Sequence, residues 1–282
     1  MPFNGTTRRA LLTAAAGLAQ AAVPAQIIDT HTHFYDPARP QGVPWPAKTD
    51  PLLYRTVLPA DFRKVSTPYG VTGTVVVEAS AWVEDNQWIL DMARTDKTLM
   101  GLVGHLEPNA SDFASNLARF HKNKLFLGIR LGAKAIADSL ANRAMLANVK
   151  RLGDANLMID AIGQPEVLEN VARLSDKIPA LRIVIDHLPY NPPKMLPELS
   201  KHPLVYAKVS GGLPSKEALD ELWHVFGEDR LIYGSNWPVS DKIAPYGEIF
   251  KNVQAYFAGK GSAASEKYFW KNSQIAYRWT AR

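Results

Sequence analysis

Cysteine is absent from the 282 residues, which excludes disulfides, thiolate zinc sites and a cysteine nucleophile. No lysine- or arginine-dense run occurs, and the formal net charge is only +5 from 32 basic and 27 acidic side chains. A nucleic-acid partner is therefore not expected. No apolar stretch reaches the roughly 20 helical residues that cross a bilayer. No glycine-rich phosphate loop follows any strand-like segment, which argues against a dinucleotide-binding open sheet. What remains is an ordinary globular composition, 46 % hydrophobic and 21 % charged, long enough to bury one large core.

The first 25 residues differ from the rest. They run MPFNGTTRRALLTAAAGLAQAAVPA, with Arg8-Arg9 followed by an uncharged Ala/Leu-rich run from Ala10 to Val23 and small residues at Val23-Pro24-Ala25. That run suits a signal h-region, and Thr-Arg-Arg-x-Leu-Leu resembles the leader with which bacteria export folded proteins. The expectation is a twin-arginine-type signal peptide over 1–25, a mature domain over 26–282, a periplasmic location and no membrane association after leader removal. Without the two arginines the balance falls to 30 against 27, or +3.

From Gln26 onward, β-branched runs alternate with helical patterns. Eight strands are expected: Ile27–Thr30, Thr72–Ala79, Leu99–Leu106, Leu125–Leu131, Leu157–Ala161, Arg182–His187, Leu204–Ser210 and Leu231–Ser235. Pro165 opens one intervening helix at a position where its missing amide costs nothing. Ser215 caps another, which Gly227 stops. Polar residues recur near the strand ends at Glu78, His105, Arg130, Asp160, His187, Lys208 and Asn236, spaced 21 to 30 residues apart. Eight βα units at this repeat predict a single-domain (β/α)8 TIM barrel. The long proline-rich connection from Pro37 to Val71 belongs at the mouth, where Trp45 and Tyr54 either stack on a substrate or pin the loop.

Ile27-Ile28-Asp29-Thr30-His31-Thr32-His33 carries the sharpest chemistry. Strand alternation places Asp29, His31 and His33 on one face, toward the lumen. Two imidazoles there suit one divalent metal, or hydrogen bonds to a carbonyl substrate. His187 ends another apolar strand at the same rim. Arg130 and Lys208 are costly to bury alone, so each binds a substrate carboxylate or oxyanion, or pairs with a lumen carboxylate such as Glu78 or Asp160. His121, His202 and His224 fall on helical patterns and read as surface residues.

The motifs DTHTHFYD, GIR, VIDHLP, YAKVSG and YGSNWPV, in this order, together with the closing EKYFWKNSQIAYRW, closely resemble the amidohydrolase-related family of metal-dependent hydrolases. The branch they are most similar to contains sugar-lactone, muconolactone and pyrone-dicarboxylate lactonases. The resemblance spans Gln26 to Trp279. It implies a hydrolase acting on a small-molecule lactone, with His31, His33 and His187 contacting metal or substrate and Arg130 contacting the substrate; Lys208 and Trp45 are further substrate-binding candidates from their places at the rim. Asn236 stands where the family normally has aspartate. Asparagine orients water but has no useful basicity near neutral pH, so the base falls to Asp241 or Glu78. No lysine stands where a carbamate would bridge two metals, and Asp160 replaces the fifth-strand histidine. One zinc-like ion is therefore expected at most, with metal-free action left open. A degenerate lactone-binding barrel and a metal-dependent decarboxylase are the alternatives, and a homodimer is compatible with the sequence.

Overall fold

The computed structural model describes Met1 and residues 24–163, 165–189 and 196–282. The expected leader thus lies outside the described residues except for Met1, Pro24 and Ala25. Among the described residues, no helix is long and apolar enough to cross a membrane.

All eight expected strands form, within two residues of the predicted ends. They are β1 (Ile28–Thr32), β2 (Gly73–Val77), β3 (Leu99–Gly104), β4 (Phe126–Gly132), β5 (Met158–Ile162), β6 (Arg182–Leu188), β7 (Val205–Val209) and β8 (Leu231–Tyr233). Each pairs in parallel with the next in chain order. Closure comes from the residues beyond β8: Asn236 N donates to His31 O at 2.9 Å, and His33 N donates to Trp237 O at 3.0 Å. The result is the (β/α)8 barrel, whose chemistry belongs at the C-terminal ends of the strands.

The lumen is filled from below. Ile28, Val75, Val103, Leu127, Met158, Val184, Tyr206 and Ile232 form one buried cluster with Tyr277 and Trp279 from the chain end. The chain end reaches the starts of β3 and β6: Arg282 donates to Leu99 O, and Arg182 Nε to Ala276 O at 2.7 Å. This apolar plug closes the N-terminal end of the barrel and leaves the upper lumen to polar residues. The helices add a larger outer core. Helix Glu166–Lys177 starts after Pro165, and helix Lys216–Phe226 is capped by Ser215 Oγ, which accepts from Ala218 N.

The long connection from Pro37 is less open than its prolines suggested. It contains a helix over Pro59–Ser66 and is tied back by a bridge between Tyr35 and Val57. Arg39 anchors it to helix Val83–Thr95 through two hydrogen bonds to Asp85, and lies over the Trp88 ring at 4.3 Å.

Candidate active site

Two irregularities in the ladder build the site. In β1 the register shifts between Asp29 and Thr32. Ile28 faces the lumen cluster, yet Asp29 accepts from Ser235 N at 2.9 Å, His31 N at 3.1 Å and Tyr246 OH at 3.1 Å. Tyr246 lies on the outer helix Tyr246–Gly259. The expectation that Asp29 shares a face with His31 and His33 is thus corrected. The shift interrupts strict alternation, and Asp29 instead ties β1 to β8 and the helix layer.

In β6 the register shifts between Ile185 and Leu188, and His187 has φ 62°. The left-handed residue turns Asp186 and His187, neighbours in sequence, into one cluster. Asn236 shares this conformation at φ 63°. Two non-glycine residues in a costly backbone region mark the mouth as a place where geometry has been held against local preference.

The His31 imidazole touches both of the other site imidazoles. Ring centroids of His31 lie 4.9 Å from His33 and 4.5 Å from His187. Above them is a cavity of about 340 Å³ lined by His33, Trp45, Glu78, Arg130, His187 and Asn236. Burial lowers all three imidazole pKa values, to about 4 for His33 and about 3 for His187. The rings are therefore neutral at neutral pH, and each carries a single proton.

Hydrogen bonds place those protons. Arg130 Nη2 donates to His187 Nε2 at 3.2 Å, so His187 carries its proton on Nδ1 and donates to Ser210 Oγ at 2.9 Å. His33 Nδ1 faces Val77 O at 3.0 Å, and a carbonyl can only accept, so the proton sits there. His33 Nε2 is then a lone pair, and it faces Asn236 Oδ1 at 3.2 Å, a contact between two acceptors. The amide satisfies this contact by turning its NH2 to the ring, which leaves its oxygen to accept from water. Among the described residues, His31 Nε2 is buried without a hydrogen-bond partner.

Beneath the rings lies a charged floor. Asp186 receives Arg130 Nε at 3.0 Å on one oxygen and Lys208 Nζ at 2.8 Å on the other. Although burial opposes its charge, Lys208, His31 and Arg130 hold the Asp186 pKa well below the usual carboxylate range. Lys208 also bonds Asp160 at 2.6 Å, and Asp160 takes Tyr277 OH at 3.0 Å on its other oxygen. Glu78 stands 3.9 Å from Arg130 Nη1, and burial raises its pKa to about 7.

The structure redistributes several expected roles. Lys208, expected on the substrate, is fully buried under the rings and does not line the cavity. Three polar partners offset the cost of burying it there. Asp241, a candidate base, lies on a short turn 3.9 Å from Arg55 and is likewise outside the lining. Among the described residues, the group whose donor atoms all lie within 4.8 Å of one another is His31, Asp186 and His187, without the expected His33. Arg130 pairs with Asp186, not with Asp160. Asp186 was missed because strand alternation directs it away from His187, although its place in VIDHLP marks it in retrospect. Glu78, Arg130, His187, Asn236 and Trp45 all reach the cavity. Trp45 edges onto both His33 and Tyr35, at 5.8 and 5.3 Å.

A family model for amidohydrolases matches residues 28–279. The chain belongs to the amidohydrolase family. Among curated relatives, an L-fucono-1,5-lactonase of Burkholderia ambifaria is 29 % identical over 242 residues, covering 78 % of this chain and 83 % of that one. Another L-fucono-1,5-lactonase, of Burkholderia multivorans, is 24 % identical over 277 residues, covering 86 % and 92 %. Among solved structures, an amidohydrolase from Burkholderia multivorans with bound zinc superposes with a TM-score of 0.80 at 22 % identity, covering 91 % of this chain and all of that one. At that identity the likeness establishes the shared barrel. In this amidohydrolase, His31, Asp186 and His187 are spaced to bring one ligand atom each to a single divalent ion. The unpartnered His31 Nε2 fits that use when the ring carries its proton on Nδ1, 3.4 Å from Asp186 Oδ1.

Proposed function

We propose that this amidohydrolase opens a lactone, the cyclic ester of a sugar acid or related organic acid, by attack of water in the cavity at the barrel mouth. It is a hydrolase acting on ester bonds, and its two L-fucono-1,5-lactonase relatives support that bond type. The observation that carries the reading is Glu78, the one carboxylate among the described residues that line the cavity, with a pKa raised to about 7 beside Arg130.

The division of labour follows from which groups can hold a proton. His33 and His187 are too weakly basic at neutral pH, Asn236 has no basicity, and both Asp186 oxygens are held by cations. Glu78 is ionised often enough near pH 7 to take a proton from water, and basic enough to keep it. Arg130 presents the positive charge that an ester oxygen needs as it becomes an oxyanion. Asn236 holds the water by its side-chain oxygen, against a His33 ring that is itself fixed. The water oxygen bonds to the carbonyl carbon, and its proton goes to Glu78. The ring C–O bond then breaks, and Glu78 returns the proton to the departing alkoxide, giving a hydroxy acid. A divalent ion bound by His31, Asp186 and His187 would add polarisation of the carbonyl and a more acidic water.

The test is proton release by the purified protein on a panel of sugar-acid and unsaturated-acid lactones, with open-chain aryl esters as the contrast. Turnover of lactones, lost on Arg130→Met, is expected. Binding without turnover on every lactone would overturn it. We also propose that residues 1–25 direct export, as Arg8-Arg9 and the uncharged run behind them suggest.

A further inference from the structure

Lys208 is the one fully buried lysine among the described residues, and it is placed as a coordinated cation would be. Its Nζ lies 2.6 Å from Asp160 Oδ2, 2.8 Å from Asp186 Oδ1 and 3.2 Å from His31 Nδ1. An ammonium has three protons, and three acceptors converge on it from β5, β6 and β1. Two carboxylates and one imidazole are also the hard and borderline ligands that a divalent ion selects. The acceptors are themselves fixed: Tyr277 OH holds the other oxygen of Asp160, and Arg130 Nε holds the other oxygen of Asp186. The seat is therefore built independently of the lysine that fills it.

We propose that the Lys208 ammonium occupies a second cation seat in the barrel floor, made by His31, Asp160 and Asp186, and so bars a divalent ion from it. Zinc–oxygen and zinc–nitrogen bonds are about 2.0–2.2 Å. The three ligands need to draw in by roughly 0.5–1 Å to exchange the ammonium for a metal. The seat uses His31 Nδ1, so it is distinct from a site at His31 Nε2. Its occupant is covalently part of the chain, which keeps Asp186 charged and Arg130 oriented at any metal concentration. This holds whatever substrate the cavity takes.

The experiment is equilibrium dialysis of wild type and Lys208→Met against zinc, followed by elemental analysis. Methionine replaces the aliphatic stem but stops one atom short of Nζ. Lys208→Met is expected to retain one equivalent of zinc more than wild type, and to melt at a higher temperature with zinc than without. The double variant Lys208→Met/Asp160→Asn removes one ligand and one uncompensated charge, and it should lose the extra equivalent. A folded Lys208→Met that binds no more zinc than wild type would overturn the proposal. If Lys208→Met folds only in the presence of zinc, the metal has taken the ammonium's place. If it folds under neither condition, the seat cannot exchange its cation and the proposal fails.

Discussion

Glu78→Gln separates activity from stability at the proposed base. The folded-state pKa of Glu78 is about 7 against a reference of 4.5, and its side chain is 20 % exposed beside Arg130. Burial favours the protonated form. The stability this lends is complete below the unfolded pKa, and it is lost as pH rises through the folded pKa near 7. Each pKa unit corresponds to about 1.36 kcal/mol, so keeping Glu78 ionised in the fold costs on the order of 3 kcal/mol by pH 8. Glutamine is nearly isosteric and never carries that charge. The variant should therefore match wild type in stability near pH 4.5 and exceed it at pH 8. The gain should be up to ~3 kcal/mol, which in a domain of this size is several degrees of Tm. Activity should move the other way. With a pKa of about 7, the ionised fraction is about one tenth at pH 6 and nine tenths at pH 8, so wild-type kcat/KM should climb through that window. Glu78→Gln should lose about 10²–10⁴-fold and the pH-dependent limb with it. Lactone hydrolysis followed from pH 5 to 9, with thermal melts in the same buffers, reads both effects. A variant with wild-type kcat/KM and an unchanged limb would refute the assignment.

Asn236→Ala removes one water-positioning contact and should slow lactone hydrolysis by about one to two powers of ten without abolishing it; complete loss would make Asn236 indispensable to the chemistry. Gly211 has φ 82°, and a Cβ there would lie 3.1 Å from His187 Nδ1. Gly211→Ala should therefore cost about 1–2 kcal/mol and disturb the His187–Ser210 bond, measured as a lower Tm together with a drop in kcat. Wild-type values for both would show that the turn relaxes freely. Replacing Arg8 and Arg9 with lysine should leave the protein in the cytoplasm, as read by fractionation, and unchanged export would defeat the twin-arginine reading.

The barrel was legible in the sequence because its signal is periodic. Eight β-branched runs at a regular spacing have few other ways to bury their faces, and the predicted strand ends fall within a few residues of those observed. The residues at the mouth were legible for a related reason. Glu78, Arg130, His187 and Asn236 end strands, and in a parallel barrel strand ends converge wherever the helices between them lead. What alternation could not foresee were the breaks in alternation. The shifted register in β1 turns Asp29 outward, and the left-handed turn at His187 brings Asp186 beside it. These are backbone events set by contacts with β2, β7 and the residues after β8, far away in the chain. Lys208 shows the same limit most plainly. From sequence its charge belonged equally to a substrate or to a buried pair. Only the closure of β1, β5, β6 and β7 around one axis decides the matter, because it brings Asp160, Asp186 and His31 to within hydrogen-bonding distance of its nitrogen. Local pattern determined which residues line the barrel, and tertiary closure decided which of them hold the site and which face the substrate.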